Sequence, residues 1–381
     1  MSTTKSHDFI LINIKSLFEP KTNEVWFKHA KDSESDFTLV SPMKYGIDYT
    51  IKHSEQFLYK MTNEDDSINY KIIKIPLPTK FLLLNEGNQA SEFKQKEKNE
   101  LDIVRNEKLQ LPGDRLVALP MSNYFENRSE SLEKSGMNQL QLIEPYELIK
   151  TKYDAKLLDF EVTKNYLCVL EERNLVERIR TLTLKNNRWH TETLPEEYYH
   201  IELEDNLAYD TQYIRYRLST PHQPDKIQEH NMGTHITSKI HMDHYSNFDP
   251  SKYKTELITV KDCPIVLSYN VNEYNENSPF ILHTLGAKSS KEDFVFDQAK
   301  VSLMDRGIVY AYPMVRGTKY FDDEWYLSGL NLRRIERKYF IVYWFIYCVD
   351  FIEVSAFLKE KKITPSIGVY AEGVSGSVLA L

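Results

Sequence analysis

The sequence predicts an all-β unit followed by an α/β unit, and three observations carry that division. From Phe9 to about Ile75, and again from 147 to 272, short apolar or alternating runs are separated by polar clusters, with no long helical segment among them. Beyond about Asn272 three apolar runs, SPFILHTLG, GIVYAYPMV and SIGVYA, appear with a helical stretch between the last two. The last run leads straight into Gly373-Val374-Ser375-Gly376-Ser377, a strand-to-turn arrangement.

In the first segment FILINI, EVWFKHA, FTLVSP, FLYKMT and YKIIKIPL alternate with period two, and DSESD and NEDDS separate them as turns. Period-two alternation half-buries a strand, so these read as antiparallel β. Residues 86–145 change character. EGNQASEFKQKEKNE and SNYFENRSESLEKSGMNQ are polar and charged, and bracket only RLVALPM. Such a stretch buries too little apolar surface to order itself, and reads as a loop-rich insertion, at least partly disordered. Strand texture resumes with KLLDFEVTKNYLCVLEERN and continues through RIRTLTL, HIELEDN, YIRYRLST and TELITVKDCPIVLSYNV. Regular short strands suggest a sandwich or a propeller, and periodicity alone does not choose.

In the last segment, DFIEVSAFLKEKK places Phe351, Ile352, Val354, Phe357 and Leu358 at helical spacing. Buried apolar strands alternating with helices signal a parallel, doubly wound sheet. YFIVYWFIYCV, residues 339–349, stands out as eleven apolar or aromatic residues. Eleven is too few to span a bilayer. It reads as an unusual insertion or as translated non-coding sequence.

Composition narrows the function. The chain has 381 residues, enough for two sizeable cores. A net charge of −8 argues against non-specific binding to nucleic acid or an anionic membrane. Cys168, Cys263 and Cys348 are far apart and odd in number, which fits a reducing cytosol. MSTTKSHDFILINIKSL puts polar residues where a signal peptide needs an apolar core, so a cytoplasmic location is expected. His235, His241 and His244, with Asp243 or Asp249, form a histidine-rich stretch. It is read as a solvated loop between strands, because metal ligands must converge. No metal and no cofactor is expected.

The terminal turn carries the chemistry. In a G-x-S-x-G turn a strand meets a helix so sharply that flanking positions must be small. The serine then projects above the sheet, and the next N–H donates to an oxyanion. Gly373 supplies the small first position, Ser375 is the candidate nucleophile and Gly376 the oxyanion donor. The closing glycine is replaced by Ser377. In this fold the order is Ser, then Asp or Glu, then His, yet no acidic residue or histidine follows Glu372 in these 381 residues. His283, ending the first α/β strand, borders the site without standing where the base belongs.

Taken in order, TNEVWFKHA, YGIDYTIKHSEQFLYKMTN, ELIKTKYDAKLLDFEVTKNYLCVLEERN, QYIRYRLSTPHQPDKIQEHNM and FDPSKYKTELITVKDCPIVLSYNV resemble the prolyl oligopeptidase family of serine peptidases. Its oligopeptidase B branch is the most similar. SPFILHTLGA, VSLMDRGIVYAYPMVRG, EWYLSGL, DFIEVSAFLKEKKITPS and the serine turn continue the resemblance collinearly. It implies a partial β-propeller over 1–272, with the insertion at about 86–145. It also implies an incomplete α/β-hydrolase domain over 273–381 that ends at the nucleophile turn. The implied chemistry is hydrolysis of short peptides through an acyl-serine intermediate, after basic residues in that branch. By the same resemblance, Leu285 in His283-Thr284-Leu285-Gly286 stands where an oxyanion-binding tyrosine is usual. Arg316-Gly317-Thr318-Lys319-Tyr320 replaces an Arg-Gly-Gly-Gly-Glu segment. With the acid and base absent, the chain alone is expected to be inactive. The alternatives are a non-catalytic propeller module that binds a protein partner, and an incomplete gene product.

Overall fold

The computed structural model describes residues 1–16, 21–33, 36–65, 67, 69–77, 146–149, 155–192, 194, 198–246, 248–260, 263–284, 295–318, 325, 328, 343–360 and 364–371. The chain divides into two compact units. The first holds Met1–Thr151, Val162–Lys164 and Leu207–Thr211, and the second holds Lys152–Glu161, Asn165–Asn206 and Gln212–Leu381.

The first unit contains two four-stranded antiparallel meanders. One has β1 (Ser2–Thr3), β2 (Phe9–Lys15), β3 (Asn23–His29) and β4 (Thr38–Ser41) in sequence order. The other has β5 (Tyr49–Ser54), β6 (Phe57–Thr62), β7 (Lys71–Pro76) and β8 (Tyr146–Ile149), also in sequence order. Phe9, Val25, Phe27, Val40, Tyr49, Ile51, Leu58 and Ile75 form their common core. These are the inward positions of alternating strands, which is why the pattern was readable. Asn23 ties the meanders together, since its amide donates to Tyr49 O at 2.8 Å and accepts from Tyr49 N at 2.9 Å.

Register explains the polar interruption. Ile73 pairs with Glu147 and Lys74 with Tyr146, so the chain leaves this sheet after β7 and returns to the adjacent position. Residues 78–145, which include the segment read as an insertion, lie outside the described residues.

The second unit opens with two more meanders. β9 (Ala155–Val162), β10 (Tyr166–Arg173), β11 (Val176–Thr183) and β12 (Arg188–Thr191) form the first. β13 (His200–Leu203), β14 (Tyr213–Thr220), β15 (Gln223–Asn231) and β16 (Ile236–Met242) form the second. Four-stranded antiparallel sheets in sequence order are the blade unit of a β-propeller. The histidine-rich stretch is therefore not a loop: Ile236–Met242 is an edge strand paired to β15, with His241 opposite Ile227. Every β16 residue is exposed or half-buried, so the strand has no apolar face to announce it.

A five-stranded mixed sheet follows. β17 (Tyr253–Val260), β18 (Cys263–Asn270), β19 (Phe280–Thr284), β20 (Val309–Pro313) and β21 (Ile367–Ala371) are ordered β17-β18-β20-β19-β21. β19 is parallel to both of its neighbours, and β18 is antiparallel to β20. The parallel part was expected. That TELITVKDCPIVLSYNV supplies the other two strands of this sheet was not, because an antiparallel hairpin looks alike in a blade or at a sheet's end.

Two helices cover opposite faces. Helix α1 (Gln298–Met304), capped by Asp297 whose carboxylate accepts from Ala299 N at 2.8 Å, packs Val301 and Met304 with Val266, Tyr310 and Tyr312. Helix α2 (Tyr343–Glu360) packs Phe351, Val354 and Leu358 with Ile265, Leu267, Phe280, Leu282, Val309 and Ala311. Successive β20 residues thus face different helices, as strand alternation requires. Helix α2 also takes in most of the apolar run 339–349, whose residues 339–342 lie outside the described residues. Among the described residues no helix is long and apolar enough to cross a membrane.

Candidate active site

In a parallel sheet, ligands are met beyond the carboxyl ends of the strands, where the winding reverses direction. Here β19 leads through α1 to β20 on one side, and β20 leads through α2 to β21 on the other. The reversal falls at the carboxyl ends of β19, β20 and β21. β21 pairs in parallel with β19, with Phe280 opposite Ile367, His283 opposite Tyr370 and Thr284 opposite Ala371.

Gly373, Ser375 and Gly376 follow Ala371 within five residues and lie outside the described residues, as do Leu285, Gly286, Lys319 and Tyr320. What the structure describes is the sheet end up to Ala371. His283 is 2% exposed on the α1 face. Its ring lies 4.7 Å from Tyr370, 5.2 Å from Tyr312 and 6.5 Å from Tyr310, centroid to centroid. Lys300 of α1 places its ammonium 5.5 Å from the Tyr312 ring. Burial, then Asp297 and Tyr370, raise the Tyr310 phenol above its ordinary value. His283 is therefore part of an aromatic layer on the α1 face of the sheet.

The loop after β20 is pinned on the α2 face. The Arg316 main-chain N–H donates to Asp350 Oδ2 at 3.0 Å and its Nε to the same oxygen at 2.8 Å, while Nη2 pairs with Oδ1. These bonds from Asp350 lift the guanidinium's pKa further above its ordinary value. Gly317 follows at φ +93°, a left-handed conformation that suits a residue without Cβ. Thr318 Oγ1 donates to Val315 O at 2.6 Å and Trp325 Nε1 to the same carbonyl at 3.1 Å. A cavity of about 250 Å³ lies beside this pair, floored by Cys263, Val260 and Val354. Burial pushes the Cys263 thiol up to about 12, so it is no nucleophile at neutral pH.

The histidine-rich stretch is dispersed. His241 Nε2 meets Asp243 at 3.2 Å on the surface, and Asp249 caps the turn Pro250–Lys252 by accepting from Ser251 N at 3.1 Å. His235 instead stacks on His190 at 3.6 Å. Among the described residues no three His, Cys, Asp or Glu side chains are placed to hold a metal ion. Sequence reasoning missed Asp350 and His190, which meet their partners only through the fold.

Residues 1–81 match the N-terminal β-propeller domain of prolyl oligopeptidase. Dipeptidyl aminopeptidase BI of Pseudoxanthomonas mexicana is 25% identical over 235 residues, 60% of this chain and 31% of that protein. The prolyl endopeptidase-like protein of Gallus gallus is 19% identical over 341 residues, 87% of this chain and 37% of that one. Oligopeptidase B from Leishmania major superposes with a TM-score of 0.68 at 18% identity, over 100% of this chain and 46% of its own. Over residues 1–81 the chain thus matches the prolyl oligopeptidase family, and over its whole length it shares that family's fold. A second family structure, prolyl oligopeptidase B from Galerina marginata bound to a 35mer hydrolysis and macrocyclization substrate, superposes at 0.65 with 16% identity, over 99% of this chain and 44% of its own. The chain thus spans less than half the length of these family members, and at such identities the structural likeness speaks for the fold.

Proposed function

We propose that this chain carries the nucleophile half of a serine peptidase of the oligopeptidase B type. Its residues up to about 250 are blades of a propeller, and the β17–β18 hairpin with 273–381 is part of an α/β-hydrolase domain. The observation that carries the reading is the reversal of winding around β19: β21 enters at the sheet's far side and ends four residues before Ser375. A strand ending that way before Gly-x-Ser is what lifts a serine above a sheet. Ser375 would attack a peptide carbonyl, with Gly376 N–H stabilising the oxyanion and Gly373 leaving room for the turn. The substrate class is short peptides, and the preference for cleavage after basic residues rests on the likeness to that branch alone.

Within these 381 residues nothing after Ser375 can serve as acid or base. His283, the histidine at this edge, is buried among tyrosines. Removing triad partners costs about 10⁴–10⁶ in kcat. The 381-residue polypeptide is therefore expected to show no labelling of Ser375 by a fluorophosphonate above that of Ser375→Ala. Rapid labelling that this substitution abolishes would overturn the inactivity. If the coding sequence runs in frame past Leu381 and supplies an Asp and a His, the longer product should label at Ser375; a longer product that does not would sink the nucleophile assignment.

A further inference from the structure

We propose that His190, Glu192, His230 and His235 form a proton-operated latch that holds the β15–β16 hairpin against β12 at neutral pH and releases it on mild acidification. The four residues come from three places: His190 on β12, Glu192 directly after it, His230 near the end of β15, and His235 in the turn before β16. The rings of His190 and His235 lie parallel at 3.6 Å, and His230 stands 6.2–6.3 Å from both.

Counting hydrogens fixes the state of His230. Thr237 Oγ1 donates its one hydrogen to Glu192 Oε1 at 2.9 Å, so it must accept at its 2.8 Å contact with His230 Nδ1. His230 is thus the Nδ1–H tautomer, and its Nε2 is a bare, buried nitrogen with no hydrogen-bond partner. A proton on Nε2 would be a buried donor without an acceptor, on a ring already facing two other imidazoles. Glu192 Oε2 lies 3.6 Å from His190 Nε2 and 3.6 Å from His230 Nδ1, so one carboxylate serves two rings. Parallel stacked rings cannot aim lone pairs at one ion, which favours protons over a metal as the ligand.

The charged groups facing the cluster are Glu192 and Arg188 from β12 and the turn beyond it; β16 contributes Thr237, and β14 the apolar Ile214 opposite His230. Protonated His230 and His235 beside one guanidinium and only one carboxylate leave an excess of positive charge. Burial holds His230 below its ordinary range, with Glu192 opposing and His190 and His235 adding; burial, His190 and Arg188 lower His235. A released hairpin therefore binds more protons than a latched one. The closed state is favoured above the ordinary histidine pKa of about 6.5 and loses that advantage as pH falls below it. The hairpin's outer strand makes few apolar contacts, with Ile236 67% and Ile240 49% exposed, so release begins at β16 and at the β15 end nearest the cluster, while the β14–β15 ladder holds the rest.

Hydrogen–deuterium exchange of the full chain tests this. Corrected for intrinsic rates, exchange across 228–242 should rise at least about tenfold between about pH 7.5 and about pH 5.5, since each proton taken up on opening contributes up to tenfold per pH unit. The β10–β11 hairpin should change by less than about twofold over the same range. The pair His190→Gln with His235→Asn should cut the rise to below about threefold. Asn suits position 235 because the backbone there is left-handed, at φ +59°. If the pair does not fold, His235→Asn alone, at an exposed turn, should at least halve the rise. A wild-type chain with no acid-dependent rise, a variant that keeps the full rise, or a rise that EDTA abolishes would each overturn the latch.

Discussion

The Arg316–Asp350 contact makes a prediction whose asymmetry is set by exposure. The Asp350 side chain is 8% exposed, whereas that of Arg316 is 41% exposed. Truncating Asp350 to alanine frees a guanidinium that water can reach, so its loss is worth only about 0–1 kcal/mol. It also leaves the Arg316 main-chain N–H without its acceptor, costing about 1–3 kcal/mol. Asp350→Ala should therefore destabilise by about 2 kcal/mol. Truncating Arg316 leaves a buried carboxylate facing a single N–H, and removing one partner of a buried pair costs about 3–5 kcal/mol. With that N–H retained, Arg316→Ala should sit near the lower end, about 3 kcal/mol.

The double variant has neither the stranded carboxylate nor the guanidinium. It should cost about as much as Asp350→Ala alone, about 2 kcal/mol, rather than the sum of about 5, a coupling of about 3 kcal/mol. Urea unfolding followed by tryptophan fluorescence measures this, because Trp325 donates to Val315 O beside the pair. At unchanged slope the midpoint reports stability directly. Additive single costs, or an Asp350→Ala variant weaker than Arg316→Ala by more than about 1 kcal/mol, would refute the exposure argument.

Two further outcomes follow from buried titratable groups. Cys263, pushed up to about 12 by burial, should resist iodoacetamide in the folded chain near pH 8 and react once urea exposes it; modification without denaturant would contradict that burial. His222 is lowered to about 4, chiefly by burial, and its Nδ1 shares a 2.7 Å hydrogen bond with Thr255 Oγ1. The unfolded chain then binds the extra proton, so His222 costs stability as pH falls from about 6.5 to about 4, up to about 3 kcal/mol in total. His222→Gln should flatten that part of a pH–stability curve, and an unchanged slope would remove His222 as its source.

Strands with an apolar face were legible, and strands without one were not. KLLDFEVTKNYLCVLEERN announces β9 and β10 because Leu157, Phe160, Val162, Leu167 and Val169 are buried. QPDKIQEHN and ITSKIHM give no such signal, although they form β15 and β16. Their strand character comes from pairing, β15 with β14 and β16 with β15, which is a tertiary fact. The affiliation of β17 and β18 was hidden for a related reason. The pairing of Ile265–Ser268 with Tyr310–Pro313, far along the chain, is what attaches that hairpin to the mixed sheet. Short-range motifs survive this problem: the Gly-x-Ser turn can be read without knowing what surrounds it. The Arg316–Asp350 pair and the His190–His235 stack cannot, because each joins residues from separate elements.

The same geometry alters the meaning of the apolar run before Asp350. Read alone, YFIVYWFIYCV suggested an intrusion into the family pattern. In the structure most of it is the first half of α2, continuous with the half that packs Phe351, Val354 and Leu358 on the sheet. That helix is also what returns the chain to the far side of β19, since β21 must follow it. Asp350 sits between the two halves and fixes the loop after β20. One helix therefore positions two of the three strand ends where Ser375 would act. Shortening α2 would displace both the β20 loop and β21, because that helix connects them.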